Sequence, residues 1–272
     1  MKMTVLVENT APEGLGSEWG LCILAEYEGK KYLLDTGASS LFSENAKKLG
    51  VDLSEVDYGI LSHAHFDHAC GMQTFFDINE KAPFLISSRA EENCYTTGKI
   101  FPRYIGMKKG TLKKYRNRIT RVEGDYQIEE GVFIVPHKLP QKEQICTVTE
   151  KMYVRHGFRF GADDFSHEQS VVFMTHQGMV IVNGCCHGGV DRVIEEVQMT
   201  FPGQKICAVI GGFHLYTWSR EDVQELSKRL RELDVAHIYT GHCTGKRAFQ
   251  VLCDELGQKV EALTTGKVFS FQ

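Results

Sequence analysis

The stretch Leu61-Ser62-His63-Ala64-His65-Phe66-Asp67-His68-Ala69-Cys70-Gly71 decides how the rest of the chain is read. It sets out H-x-H-x-D-H directly after the apolar run Tyr58-Gly59-Ile60-Leu61, which predicts a buried strand. In extended backbone His63 and His65 point to one side, because side chains alternate with a period of two. Asp67 and His68 follow once the chain has begun to turn, so they face a different point. One strand end thus offers two imidazoles to one cation and a carboxylate plus an imidazole to a second. Neutral imidazole and carboxylate are the borderline-to-hard donors that zinc, iron or manganese accept. The bland alternative is a solvated polar loop, and four such groups beside an apolar strand argue against it.

On either side of this motif the chain alternates strand and helix. Strands are expected over 4–7, 21–27 and 31–34, the last two joined by a glycine-bearing hairpin turn. Asp35-Thr36-Gly37 follows, then a helix near 41–49 stopped by Gly50. The second half repeats the grammar. A strand over 178–185 precedes Val190, Val193, Ile194 and Val197, whose i, i+3, i+4, i+7 spacing marks an amphipathic helix. A strand over 205–211 leads to Ser219-Arg220-Glu221-Asp222, a capping box ahead of the apolar stripe Val223, Leu226, Leu230 and Leu233. A strand over 237–240 and a last helix carrying Phe249, Leu252, Cys253 and Leu256 complete the series. Strand then helix, repeated, means α/β layers with helices covering sheet faces. No linker-like stretch divides the halves, so residues 1–272 are expected to form a single domain with a basic insertion or lid around 90–125.

Three further histidines stand just after apolar runs, where α/β proteins gather functional groups at the carboxyl ends of strands. They are His187 in Gly184-Cys185-Cys186-His187-Gly188, His214 in Gly211-Gly212-Phe213-His214-Leu215, and His242 in Gly241-His242-Cys243-Thr244-Gly245. The glycines let backbone turn sharply and approach a ligand closely. A lone histidine is more often structural, but three in equivalent places alongside the first motif point to one function. His137, His156, His167, His176 and His237 lack that setting and are read as structural.

The segment 99–121 holds Lys99, Arg103, Lys108, Lys109, Lys113, Lys114, Arg116, Arg118 and Arg121 without an acidic residue. It is either a solvated insertion or a lid that holds an anionic small-molecule substrate. In the second case Arg103 and Arg116 suit carboxylate or phosphate, and Tyr95, Phe101, Tyr104 and Tyr115 offer planes for stacking. Net charge is −4, which disfavours nucleic acid as the main partner. No apolar run approaches the ~20 residues that span a bilayer, so no membrane partner is expected. Nine cysteines without a paired framework read as reduced thiols of a cytoplasmic protein. Cys22, Cys94, Cys146, Cys207 and Cys253 are taken as buried and inert, whereas Cys70, Cys185, Cys186 and Cys243 neighbour candidate metal residues.

His63-Ala64-His65-Phe66-Asp67-His68, preceded by Leu33-Leu34-Asp35-Thr36-Gly37 and followed by histidine-bearing strand ends, resembles the metallo-β-lactamase superfamily. Gly184-Cys185-Cys186-His187, Gly211-Gly212-Phe213-His214-Leu215 and Gly241-His242-Cys243-Thr244-Gly245 resemble its branch named for 7,8-dihydropterin-6-methyl-4-(β-D-ribofuranosyl)aminobenzene-5′-phosphate synthase. The resemblance implies a four-layer αβ/βα sandwich holding two divalent transition-metal ions, zinc first, with iron or manganese as alternatives. It implies that His63 and His65 serve one ion, Asp67 and His68 the other, and His242 the second ion as a late ligand. Asp35 would accept a ring N–H and fix a ligand tautomer. Many relatives carry Gly-Asp after the strand that here ends in Gly184-Cys185, with the aspartate bridging the metals. Either Cys185 ligates as thiolate or His187 completes the first shell, and His187 is favoured because an imidazole matches His63 and His65. His167, in Ser166-His167-Glu168-Gln169, is a weaker claimant from the region where relatives carry a histidine.

The chemistry so implied is hydrolysis of an anionic ester, phosphoester or lactone-like bond by a metal-bound hydroxide. Asp67 would orient the water and accept its proton, and His214 would donate to the leaving group or the developing anion. No G-x-S-x-G, P-loop or G-x-G-x-x-G competes. One alternative is pterin- or ribose-phosphate-related synthase chemistry with the same metals as Lewis acids. Another is a non-catalytic metal-binding or redox protein.

Overall fold

A computed structural model describes residues 1–138 and 151–271, which fall into two compact units. The first comprises Met1–Glu123, Lys151–Asp163 and Thr264–Phe271; the second comprises 124–138 and Asp164–Leu263. Cys146 lies outside the described residues.

The first unit is built on a seven-stranded sheet in the order Val268–Ser270, Lys2–Val7, Cys22–Tyr27, Lys30–Leu34, Tyr58–Ile60, Phe84–Ser87, Ile119–Val122. Pairing is antiparallel as far as Lys30–Leu34 and parallel beyond it. The helix Leu41–Lys48 stops as its sequence requires. Gly50 takes φ 71°, its N–H reaches Lys47 O, and the Val51 N–H reaches Ala46 O. A Cβ in that left-handed backbone is disfavoured, which is why glycine ends the helix. Phe42 and Ala46 of this helix and Phe75 of Met72–Ile78 pack with Leu6, Leu24, Leu33 and Phe84 of the sheet in one core. Burying each large apolar side chain contributes about 1.5–3 kcal/mol. A four-stranded antiparallel sheet of Arg159–Ala162, Met152–His156, Cys94–Thr96 and Arg103–Tyr104 completes the unit.

The second unit has its own seven-stranded sheet, in the order Val260–Ala262, His237–Gly241, Ile206–Gly212, Gly178–Asn183, Gln169–Thr175, Val132–Pro136, Tyr126–Glu129. The first four strands are parallel and the rest antiparallel. Val193 and Ile194 of Val190–Thr200, Val223 and Leu226 of Arg220–Glu232, and Val251 and Leu252 of Lys246–Leu256 share a core with Ile181, Val209 and Ile238 of the sheet. The capping box at Ser219 and Asp222 forms in both directions. One strand is shorter than its apolar run suggests. Gly178–Asn183 ends at Asn183, whose Oδ1 accepts the N–H groups of Cys185 at 3.1 Å and Cys186 at 2.8 Å. That side chain offers the backbone a turn in place of ladder partners. No helix among the described residues is long and apolar enough to cross a membrane.

Candidate metal centre

In the first unit the site grows from the carboxyl end of Tyr58–Ile60. This strand runs parallel to Lys30–Leu34 with Leu34 opposite Ile60, so the two chains leave the sheet side by side. Asp35, the next residue, donates its N–H to Ile60 O and adopts φ 59°. His63 and His65 lie in the segment that follows, which bends at Ser62 and Ala64 instead of running on as strand. His65 then caps the one-turn helix Phe66–Ala69, which carries Asp67 and His68. All four side chains are buried, His63 and His68 completely.

The Asp35 carboxylate organises this turn. Its Oδ1 accepts the Ser62 N–H at 2.7 Å; its Oδ2 accepts the Ser62 hydroxyl at 2.7 Å and lies 2.6 Å from His68 Nδ1. Ser62 Oγ is also 2.9 Å from His63 Nδ1. The hydroxyl proton goes to Asp35, so His63 must donate Nδ1–H to Ser62, and His68 donates Nδ1–H to Asp35. Both rings therefore keep a lone pair on Nε2, the form in which imidazole ligates a metal. Asp67 Oδ2 accepts the indole N–H of Trp19 at 2.9 Å. Ligand atoms of His63, Asp67 and His68 all lie within 4.8 Å of one another. Two ligands about 2.1 Å from a tetrahedral cation sit about 3.4 Å apart, so small side-chain adjustments suffice and the donor set fits zinc or a similar ion. The His63 and His65 rings meet edge to face at 4.6 Å. His65 also groups with Cys94 and Asp163, all buried and within the same 4.8 Å limit.

In the second unit the sheet register places Asn183 opposite Gly211 and Gly212 opposite Gly241. The turns bearing His187, His214 and His242 therefore leave the same sheet edge. Gly211 adopts φ 146°, where a Cβ would lie 1.7 Å from Asn183 O, so only glycine fits. His187 is buried, stacks on Phe165 at 4.5 Å and 7°, and has its ring 4.2 Å from that of His214. Its turn is held by fully buried Glu168, whose carboxylate accepts the N–H groups of His187 at 2.9 Å and Gly188 at 3.1 Å. Burial pushes the Glu168 carboxyl up from its ordinary range. The N–H of His214 points at Cys243 Sγ at 3.2 Å, and Cys185, His214 and Cys243 form a further close group. Burial pushes the Cys243 thiol up, but hydrogen bonds from Cys185 and His214 and the nearby His242 outweigh it and bring it well below the ordinary thiol range.

Among the structural histidines, His137 lies 2.8 Å from Glu196 Oε1, whereas His156, His176 and His237 are exposed. His167 is buried beside Phe165. The basic segment divides. Arg118 donates to Asn79 O and Ala82 O, Arg121 to Ser88 O and Ala90 O, and Ile119–Val122 is a strand of the main sheet. Tyr115 stacks on Phe76 at 4.4 Å and Tyr95 packs on Tyr104 and Phe160. Arg103 and Arg116 remain exposed. Sequence reasoning missed Trp19, Ser62, Glu168 and Asp163, and took Cys94 as inert. Only Ser62 and Glu168 carried a signal, as polar residues next to candidate histidines.

With this fold and this arrangement, the chain belongs to the metallo-β-lactamase superfamily, a superfamily of metal-dependent enzymes, and the superfamily's family model matches residues 20–152. It is 30% identical to a protein of Methanocaldococcus jannaschii named 7,8-dihydropterin-6-methyl-4-(β-D-ribofuranosyl)-aminobenzene-5′-phosphate synthase, over 94% of this chain and 90% of that one. The crystal structure of Tm1679, a metal-dependent hydrolase of the β-lactamase superfamily, matches with a TM-score of 0.85 and 28% identity, covering 100% of this chain and 99% of that one. The zinc-bound PqqB of Methylobacterium extorquens shares the fold at a TM-score of 0.58 and 10% identity, with 100% of each chain covered.

Proposed function

We propose that the chain is a metal-dependent hydrolase of a small anionic substrate bearing an ester, phosphoester or lactone-like bond. The observation that carries this reading is the His63–Asp67–His68 group, with Asp35 and Ser62 holding both Nδ1 protons. The 28% identity to Tm1679 over the whole chain supports it. We assign His63, His65, Asp67, His68, His187 and His242 as ligands for two divalent ions, zinc first. Bound there, the ions would supply Lewis acidity, acidifying a water and polarising the scissile carbonyl or phosphoryl oxygen. Asp67, whose Oδ2 is fixed by the Trp19 indole, would orient the water and accept its proton. His214 donates a proton to the leaving group, and Arg103 and Arg116 attract the anion.

A second reading, synthase chemistry on a pterin or ribose-phosphate substrate without net hydrolysis, draws on the 30% identity to the named synthase. One experiment separates the two. Elemental analysis of the purified protein should give about two transition-metal ions per chain. A screen over phosphodiesters, lactones and thioesters should then find a hydrolysis that a chelator stops and zinc restores. Metal without hydrolysis of any class, together with turnover of a ribose-phosphate substrate, would favour the synthase. A protein that takes up no metal would end both readings.

A further inference from the structure

Cys185 and Cys243 come from strand ends that are not neighbours, because Ile206–Gly212 runs between Gly178–Asn183 and His237–Gly241. Their sulfurs nevertheless lie 3.3 Å apart. The residue between them explains this. A Cβ on Gly212 would sit 2.5 Å from Cys243 Sγ and 2.9 Å from Gly184 O, so glycine on the intervening strand leaves the room that the Cys243 side chain occupies. Each is held in place by its own turn. Asn183 fixes the Cys185 N–H, the His214 N–H points at Cys243 Sγ, and the flanking residues Cys186, His214 and His242 take φ of 46°, 51° and 49°. Both thiols are buried, each 2% exposed, and neither is disulfide-bonded.

The sulfurs lie in direct contact, about 1.3 Å beyond the ~2.05 Å of a disulfide bond, so one can attack the other once it is oxidised.

We propose that Cys185 and Cys243 form a redox modification site, closed to a disulfide by hydrogen peroxide and reopened by small thiols. One sulfur attacks a peroxide oxygen, the O–O bond breaks, and the products are a sulfenic acid and one water. The second sulfur attacks the first, the S–O bond breaks, and a second water leaves with the remaining thiol proton. In total two thiols lose two electrons and two protons, and one peroxide becomes two waters. Reopening takes two molecules of a small thiol, which leave as their own disulfide. Burial selects a reagent of peroxide size over a bulky oxidant. The bond ties the turn carrying His187 to the turn carrying His242, and its formation does not depend on the proposed reaction.

The test is peroxide treatment of the purified protein as isolated, followed by alkylation, digestion and mass spectrometry. The expected result is loss of alkylation at both cysteines, one cross-linked peptide pair lighter by two hydrogens, and full recovery with dithiothreitol. Cys185→Ser and Cys243→Ser should each remove the cross-link, and either one serves if the other does not fold. Continued alkylation of both cysteines after peroxide, or cross-links that join either to a different cysteine, would overturn the proposal.

Discussion

Asp35→Asn isolates the role of one carboxylate. The substitution is nearly isosteric, and asparagine tolerates the φ of 59° at this position at least as well as aspartate. Its Oδ can still accept the Ser62 N–H. The change falls on the atom 2.6 Å from His68 Nδ1, where an acceptor becomes an NH₂ donor. His68 must then present a lone pair at Nδ1 and carry its proton on Nε2, the nitrogen proposed to face the metal. Restoring the ligating tautomer breaks that new hydrogen bond and sets two donors against each other in a buried site. Losses of this kind weaken metal affinity by about 10–100-fold, or about 1.4–2.8 kcal/mol. Competition of the purified variant against a chelating zinc dye reads the affinity, and circular dichroism with thermal melting confirms that the fold is kept. A folded Asp35→Asn protein with unchanged zinc affinity would refute the reasoning, because no tautomer control would then pass through Asp35.

His187→Ala should lower bound metal from about two ions per chain to about one, whereas Cys185→Ser should keep both; the reverse, or a metal–sulfur signal in X-ray absorption, would transfer the ligand role to Cys185. Arg103→Ala combined with Arg116→Ala should raise KM for an anionic substrate several-fold and leave the melting temperature in place, since both side chains are exposed; an unchanged KM would make them solvated surface. His137 supplies a pH test. Burial pulls its pKa down, but the hydrogen bond to Glu196 and the nearby Glu168 outweigh it, and the net shift is upward. A raised imidazole contributes stability that is full below its unfolded pKa of about 6.5 and is lost as pH rises through the folded value. The melting-temperature gap between the wild type and His137→Gln should therefore be widest at acid pH and narrow above neutrality, and a gap that widens with pH would contradict the pairing.

Most of what locates the histidines was legible because it is local. The glycine at the helix stop and the Ser219–Asp222 box are each written within a few residues, and both appear in the structure. The second layer of the site is not local. Glu168 holds the N–H groups of His187 and Gly188, yet it stands well upstream on the approach to Gln169–Thr175. Trp19 meets Asp67, and Cys94 and Asp163 meet His65, only after separate strands have been laid side by side. No spacing rule links such residues. The basic segment divides for a related reason. Its charge pattern is uniform, but Arg118 and Arg121 spend their donors on backbone carbonyls that only the fold brings within reach.

Backbone strain gives an independent view of where this chain is specialised. Seven described non-glycine residues have positive φ: Glu28, Asp35, Phe165, Cys186, His214, Asp234 and His242. Glu28 and Asp234 are exposed residues in turns, where such geometry is common. The other five stand at candidate residues: in the first unit Asp35 orients His68, and in the second Phe165 stacks on His187 while Cys186, His214 and His242 lie in the turns at the sheet edge. Glycine would relieve the strain at each, which costs of order 1–3 kcal/mol per residue. This fold uses glycine freely for sharp turns, as at Gly50 and Gly211. A side chain kept where glycine is cheaper has to return that cost through what it holds or touches. At Asp35 the return is visible as three hydrogen bonds to one turn. At His214 it is visible in a ring 4.2 Å from that of His187 and an N–H pointed at Cys243 Sγ, and at His242 it is what the proposed ligand role would supply.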